Sequence, residues 1–329
     1  MPQLPVISDS TLTGAIRATF TDAYERRIDK ITPRLSQVMD LALPSDKLTE
    51  IYAWYLAAPH PSRWDRGTPI PTANFDSRQY SVSSVDWGKR VPYHVNDVND
   101  DQTRTLLGRV GDTGKGFAIL PERVFFQILL GSTDADLLDA VPIGADGAAL
   151  FATTAAGADR FGVTNGNLLP GNTVASVETL HQDLFLAVSQ ALLFQDGEGQ
   201  PLLQPEDVTD GMTIIYGSAN EEVFRKAFTQ RMQLEAGGGA NAATSNVVLD
   251  AGMSFSLWST PRITNNDWFI FFNSVRPPIF EQVLEPMSEV SADLQNSDQV
   301  RDLGLAYTQW KARMGYGIQE TYGAIQIDN

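Results

Sequence analysis

Few side chains in this sequence have the types and spacing that catalysis requires. The chain holds three histidines, His60, His94 and His181, each far along the sequence from the others, and it holds no cysteine. An imidazole base needs a partner within hydrogen-bonding reach, and disulfides, thiolate zinc sites and cysteine nucleophiles all require cysteine. The residue types favour packing or surface roles for the histidines and predict no catalytic triad.

A phosphate-binding loop is the motif that the run GDTGKG around Lys115 resembles. The spacing from Gly108 to Gly114 is one residue too long for that loop, and Gly116 stands where Ser or Thr would hold magnesium. The run also falls inside a predicted helix and does not follow a strand. We therefore expect no nucleotide site here.

A calcium loop is suggested by Asp97, Asn99 and Asp101, which have the spacing of its first three ligands. Gln102, however, stands where the loop requires glycine. The same acids suit the start of a helix, through capping and the helix dipole. The glycines at 237–239 lack the spacing of a dinucleotide site. The sequence thus predicts no metal, no cofactor and no enzymatic activity.

The charge of the chain is strongly negative and unevenly distributed. The formal net charge is −16 over 329 residues, which disfavours nonspecific attraction to polyphosphate. Between residues 131 and 222, fourteen acids face Arg160 alone, whereas the first fifty residues are nearly balanced. This acidic region is interpreted either as a solvated lobe or as a surface that benefits from not adhering to DNA held close to it. No leader or membrane-spanning run is expected, so folding in a cytoplasm is predicted.

An amphipathic helix followed by a protruding ribbon is predicted for the N-terminal third. Helical spacing of apolar residues indicates a helix over 10–34, an arm lying on something larger and not the start of a compact core. Extended runs at 48–56 and 78–94 flank a tip with four prolines, which cannot donate ladder hydrogen bonds. Two strands of about ten residues would reach roughly 30 Å from the body.

The longest predicted helix runs from Asp101 to Leu130, with an interruption before Pro121. Two interpretations of Pro121 remain open. It bends the helix, so that one sequence can adopt different curvatures, or it occupies the first turn of a second helix.

The rest of the chain mixes helices and strands, which makes the fold class α+β. Helices are predicted over 174–193 and 220–232, strands over 212–217, 254–259 and 268–273, and an extended return over 283–327. The glycine-rich run 236–246 is predicted to be a mobile loop.

This order of parts resembles the Hong Kong 97 capsid fold. Locally, the runs IYAWYLAAPHPSRWDRG, VPYHVNDVNDDQ, LPERVFFQILLGS and DWFIFFNSVRPPIFEQVLEP look like the Mu-like major head subunits of tailed phages. The resemblance covers nearly the whole chain and is weakest from 131 to 205. It implies a major capsid protein that assembles into the icosahedral shell around double-stranded DNA.

The resemblance also implies a division of the chain into four parts. Residues 1–47 would form the N-terminal arm, 48–84 the extended loop, 85–131 with 283–329 the peripheral domain including the spine helix 101–130, and 132–282 the axial domain. Covalent cross-linking of the kind known in the fold's namesake needs a lysine on the extended loop. The run 50–79 has none, so such linkage is not expected.

Contacts between subunits are expected from the extended loop. The predicted contact residues are aromatic or charged: Trp54, Tyr55, Arg63, Trp64, Asp65 and Arg66. We expect the aromatic rings to pack on a neighbour and the charged groups to form ion pairs in place of a covalent bond.

The expected partners are other copies of the chain, as hexamers and pentamers, in a virion capsid assembled in the host bacterial cytoplasm. A separate scaffold or protease, a portal protein and a decoration protein are further expected partners, with DNA nearby only nonspecifically. An encapsulin-like compartment shell is the nearest alternative. A hydrolase or carbohydrate-binding module is the alternative from another class, although no convergent polar site supports it.

Overall fold

The computed structural model describes residues 9–55, 63–65, 69, 77–94, 105–134, 136–173, 175–230, 232–234, 243–250, 252–291 and 305–329. Its helices are α1 (Asp9–Leu35), α2 (Thr105–Ala118), α3 (Leu120–Leu129), α4 (Val177–Leu192), α5 (Pro205–Thr209), α6 (Glu221–Thr229) and α7 (Val247–Asp250). Its strands in the first half are β1 (Met39–Pro44), β2 (Thr49–Tyr55), β3 (Ser77–Ser83), β4 (Val85–His94), β5 (Thr154–Ala155), β6 (Ala158–Asp159) and β7 (Leu168–Pro170). Those in the second half are β8 (Met212–Gly217), β9 (Met232–Leu234), β10 (Ala243–Ser245), β11 (Phe255–Thr260), β12 (Trp268–Phe272), β13 (Ile279–Ser291), β14 (Leu305–Ile318) and β15 (Ala324–Asp328).

A four-stranded sheet joins the two ends of the sequence, in the order β1, β13, β14, β4. The long strands β13 and β14 are antiparallel, β4 is antiparallel to β14, and β1 is parallel to β13. A parallel neighbour cannot follow through a tight turn, so β1 and β13 come from distant parts of the chain.

The N-terminal helix α1 packs on α2 and on this sheet. The ring of Phe20 stacks on that of Trp310, with centroids 4.1 Å apart, and Ile16 and Val110 are buried beside them. At Gly114 an added Cβ would stand 2.6 Å from the Phe20 carbonyl oxygen, so glycine lets the two helices approach closely. Helix α1 therefore lies on a larger body, and its buried residues share a small core cluster with residues of α2 and β14.

The helix expected over 101–130 is divided in two in its described part. Helix α2 ends at Ala118, Ile119 lies between the helices, and Pro121 occupies the first turn of α3. Proline has no N–H to donate, and the first turn of a helix is where that loss costs least. Residues 101–104 lie outside the described residues.

The five-stranded sheet has the order β11, β8, β12, β15, β7. Every residue of β8 and of β12 is buried, which explains their continuous apolar runs. Helices α4 and α6 pack with this sheet, and their apolar residues share one buried cluster with those strands. Ser176 caps α4 by accepting from the backbone N–H of Thr179.

The C-terminal return is divided between the two sheets. Strand β13 begins at Ile279 and stays in the four-stranded sheet, whereas β15 pairs with β12 in the five-stranded sheet. A boundary at residue 283, as expected between the axial and peripheral domains, therefore does not coincide with the division of the strands between the two sheets. Residues 292–304 between the long strands lie outside the described residues.

Strands β2 and β3 form a separate two-stranded ribbon, paired from Thr49 with Ser83 to Tyr55 with Ser77. A two-stranded ribbon is marginally stable in water without a further surface to pack on. The contacts at its root are therefore the ones that position it. The structure is α+β, as the sequence predicts.

Candidate assembly surface

The ribbon of β2 and β3 is held to the body through Tyr52. Its ring stacks on Tyr80 across the ribbon, with centroids 5.6 Å apart, and meets Phe280 of β13 edge to face at 4.9 Å. Its hydroxyl donates a hydrogen bond of 3.0 Å to Oε1 of Gln282. Aromatic pairs of this kind contribute about 0.5–1.5 kcal/mol each beyond the area they bury. One tyrosine thus ties the ribbon to the four-stranded sheet.

Gln282 extends this link to β3, the second strand of the ribbon, and to Ser84 after it. Its side chain is fully buried, and its Nε2 donates to the carbonyl oxygen of Val82 at 3.3 Å and to Oγ of Ser84 at 2.9 Å. A buried amide without partners is costly, and here both ends are satisfied. The Tyr52 and Gln282 contacts together fix the ribbon root, defined here as residues 52, 80, 82, 84, 280 and 282.

Two glycines of β14 let the ribbon root lie close against the sheet. A Cβ added at Gly317 would stand 2.5 Å from Cζ of Phe280 and 2.8 Å from Cγ2 of Val82. A Cβ at Gly315 would stand 2.9 Å from the carbonyl oxygen of Ser83. Glycine inside a strand often marks such an approach, which is the signal in the sequence GYG that could have revealed this site.

Large apolar side chains are exposed in the ribbon, in the residue that precedes it and in the described part of the tip. Ile51 is 69% exposed and Leu48 is 53% exposed, although both are aliphatic. Trp64, in the described part of the tip, is 51% exposed. Trp54 and Tyr55 lie in β2, but their side chains fall outside the described residues. Several exposed apolar groups within one element are typical of a surface that a partner covers.

The predicted charged contacts at the tip are only partly described. Nε of Arg63 lies 3.4 Å from Oδ1 of Asp65, and both side chains are largely exposed. This pair lies within one subunit, and an exposed pair contributes only about 0.2–1 kcal/mol. Arg66 lies outside the described residues, so the pairing expected for it stays a prediction.

A buried carboxyl group next to the ribbon root was not predicted from the sequence. Glu281 accepts a hydrogen bond of 2.9 Å from the Tyr316 hydroxyl and one of 3.3 Å from the backbone N–H of Ala42. Burial raises the pKa of Glu281, against the lowering effect of both hydrogen bonds. Burial, with the nearby Glu281 carboxyl, also raises the pKa of Tyr316. The group ties β1 to β13.

A second buried charge organises the irregular region between α3 and β7. Arg160 is ion-paired with Asp146, at 2.6 Å, and donates to the carbonyl oxygens of Ala149 and Leu150 and to Oδ1 of Asn167. Burial lowers the pKa of Arg160, while the Asp146 carboxylate opposes that change. All its neighbours lie in one loop-rich region, so its role is to hold these loops together.

The residues that the sequence analysis considered for catalysis or ligand binding make structural contacts, as far as they are described. A ring nitrogen of His181 donates to the carbonyl oxygen of Ala227 at 2.9 Å, and Lys115 pairs with Asp112 on the surface of α2. The side chains of His60 and His94, and residues 97–101, lie outside the described residues. Within the described part of the chain, no His, Cys, Asp and Glu side chains cluster as a metal site. No described helix combines the length and apolarity needed to cross a bilayer.

Comparison with solved structures identifies this architecture. The capsid of an empty GTA particle matches with a TM-score of 0.54 and 12% identity, covering 89% of this chain and 88% of that one. The capsid of Myoviridae phage XM1 matches with a TM-score of 0.52 and 9% identity, covering 89% and 90%. The chain has the Hong Kong 97 capsid fold.

The capsid of the cyanophage P-SCSP1u agrees, with a TM-score of 0.51, 12% identity and coverage of 88% of this chain and 85% of that one. No protein-family model and no curated protein matches the sequence. At such low sequence identity the similarity shows the capsid fold alone. It does not show which residues contact a neighbouring subunit.

Proposed function

We propose that this chain is the major capsid protein of a tailed bacteriophage, and that many copies of it assemble into the icosahedral shell around double-stranded DNA. The observation that carries the proposal is the capsid fold over nearly the full length of the chain. The ribbon and its tip support it, because the exposed side chains of Ile51, Leu48 and Trp64 have the character of an interface and not of a solvated surface.

The division into arm, extended loop, peripheral domain and axial domain is part of this proposal. Residues 1–47 would be the arm, 48–84 the extended loop, 85–131 with 283–329 the peripheral domain, and 132–282 the axial domain. The pairing of β15 with β12 supports one refinement, in which the last strand joins the axial sheet. The break at Ile119 divides the proposed spine helix.

Membership of the Mu-like head subunits is the finer part of the proposal, and the sequence runs quoted above support it. In this proposal the subunits form hexamers and pentamers of a virion shell, built in the host cytoplasm. A scaffold or protease, a portal protein and a decoration protein would be separate chains. The extended loop would lie across a neighbouring subunit, with Trp54, Tyr55, Trp64, Arg63, Asp65 and Arg66 at that contact.

Expression of the chain together with its neighbouring genes, followed by electron microscopy and sedimentation, tests the proposal. We expect closed shells whose single major protein is this chain. Shells that enclose protein cargo and no DNA, next to genes without a portal or terminase, would favour the encapsulin-like alternative. A chain that stays monomeric at all concentrations would contradict both.

A further inference from the structure

A groove with a basic wall runs between α1 and the end of β11. It has a volume of about 480 Å³, and the cations in its wall are Arg27, Lys30 and Arg34. These residues are three and four positions apart, so they lie on one face of the helix. All three are exposed. Among the residues that the structure describes, no carboxylate lies within ion-pairing distance of them, although other cations of this chain, such as Arg26 and Arg276, have such partners.

The floor of the groove is apolar. Ile31 and Trp258 are both buried there, and Pro261 continues the surface. The acid that lines the groove, Glu122, is paired with Arg262 at 3.5 Å and therefore does not neutralise the basic wall. The groove thus combines three uncompensated positive charges with an apolar surface.

Charge complementary to the groove is present on the same chain. Residues 131–222 carry fourteen acids and one arginine, a net charge of −13. Eight of these acids are exposed, and all but Glu222, which pairs with Lys226 of its own chain, are available to a partner: Asp136, Asp139, Asp159, Glu178, Glu198, Glu206, Asp210 and Glu222. Leu193, close in sequence to Glu198, is 58% exposed, so this region also offers an apolar side chain beside its carboxylates.

We propose that the groove between α1 and β11 binds the acidic surface of residues 131–222 of a second copy of the chain. Such a contact joins two different surfaces, and repeated contacts of this type close into rings when the rotation permits. The inference rests on the proposed function and deepens it, because it adds an electrostatic contact away from the extended loop.

A neighbouring copy fits the groove better than nucleic acid does. A net charge of −16 repels polyphosphate at long range, and the phosphate backbone has no apolar groups to place against the exposed Pro261 that lines the groove. An acidic polypeptide segment supplies both carboxylates and apolar side chains. Salt should weaken the contact, because the charges are exposed and the Debye length falls to about 3 Å at 1 M.

Zero-length carbodiimide cross-linking of assembled shells tests the contact, since it joins an amine to a carboxylate only where the two touch. We expect mass spectrometry to find Lys30 joined to an Asp or Glu between 131 and 222 of another copy. Lys30→Arg keeps the positive charge and removes the amine, so its shells should assemble normally and lose this cross-link. Mixing copies labelled with heavy and light nitrogen distinguishes links between copies from links within one.

A charge-matched pair of variants measures the contribution of the groove to assembly. Arg27→Gln, Lys30→Gln and Arg34→Gln together should weaken subunit association on the order of twentyfold, from three exposed pairs of ordinary strength. Lys89→Gln, Arg109→Gln and Lys115→Gln together make the same change in net charge away from the groove and should have a smaller effect. Equal effects of the two triple variants would contradict a specific contact.

The outcomes separate this inference from the proposed function. Shells in which Lys30 links only to its own copy, or to acids outside 131–222, would overturn the inference and leave the capsid function standing. Protection of Lys30 from amine-reactive reagents in DNA-filled shells but not in empty ones would assign the groove to DNA instead. Failure to form any shell would contradict the proposed function itself.

Discussion

Gly317→Ala is expected to destabilise the subunit by closing the gap between β14 and the ribbon root. The new Cβ would stand 2.5 Å from Cζ of Phe280 and 2.8 Å from Cγ2 of Val82. Phe280 is fully buried and its ring is held by Tyr52 at 4.9 Å, so it cannot move without displacing that tyrosine. Overpacking of this kind costs about 1–3 kcal/mol.

Part of that cost is offset in the unfolded chain. Alanine has fewer unfolded conformations than glycine, which stabilises the folded state by about 0.4–1 kcal/mol where the backbone permits the change. Gly317 does not have a positive φ, so its backbone permits alanine. The net loss in the free energy of unfolding should therefore be about 1–2 kcal/mol. Gly108→Ala is the matched control, because nothing lies within 4 Å of its added Cβ and helix α2 should gain stability.

Urea unfolding followed by tryptophan fluorescence measures both variants. Gly317→Ala should lower the midpoint at unchanged slope, and Gly108→Ala should raise it or leave it unaltered. The alanine at 317 should also tilt the ribbon, so shell yield should fall more than subunit stability alone explains. A Gly317→Ala subunit as stable as the Gly108→Ala subunit would refute the close approach.

Four further outcomes are expected. Deletion of 59–71 should leave a folded subunit that forms no normal closed shells, and normal shells on electron micrographs would contradict a contact by the tip. Shells of the Arg63→Ala, Arg66→Ala double variant should dissociate at lower denaturant concentration, since weak exposed pairs add up around a lattice; unchanged shells would count against those pairs. Burial raises the pKa of the Glu281 carboxyl above its ordinary 4.5, so the folded chain binds this proton more tightly than the unfolded chain does, and the free energy of unfolding should fall as pH rises from about 4.5. Glu281→Gln should flatten this pH dependence in urea titrations, and an unaltered pH dependence would exclude Glu281 as its source. Comparison of the helix axes before and after Pro121 among symmetry-independent subunits should show a varying angle, and an invariant angle would leave only the interpretation that Pro121 starts a second helix.

Local elements of this fold follow from the sequence because their signals are local. The run MTIIYG predicts a strand over 212–217, and β8 spans Met212–Gly217 with all its residues buried. Periodic apolar residues predict a helix over 10–34, and α1 spans Asp9–Leu35. The order of such elements was sufficient to indicate the capsid fold, which the solved structures confirm.

The pairing of distant strands and the buried polar groups could not be predicted in the same way. The run AIQID indicates a strand but carries no signal for its partner β12. Glu281, Gln282 and Arg160 have the residue types of a protein surface, and only the structure shows that each is buried. Their hydrogen-bond partners come from positions up to 239 residues away, as for Ala42 with Glu281, beyond the reach of any local pattern.

Two elements are proposed to contact neighbouring subunits, the extended loop and the N-terminal arm, and both are attached to strand β13. Phe280 and Gln282 hold the ribbon through Tyr52, while Glu281 holds β1 through the backbone of Ala42. The ribbon contacts Phe280 and Gln282, whereas β1 is paired with β13 as its neighbour in the sheet and also contacts Glu281, so both elements are attached to the same strand. A shift of β13 relative to the rest of the sheet must therefore move both elements together. In the proposed shell, the orientation of the extended loop and that of the arm would be coupled within each subunit through β13 and through the hydrogen bonds of Ser45 and Asp46 to Glu50.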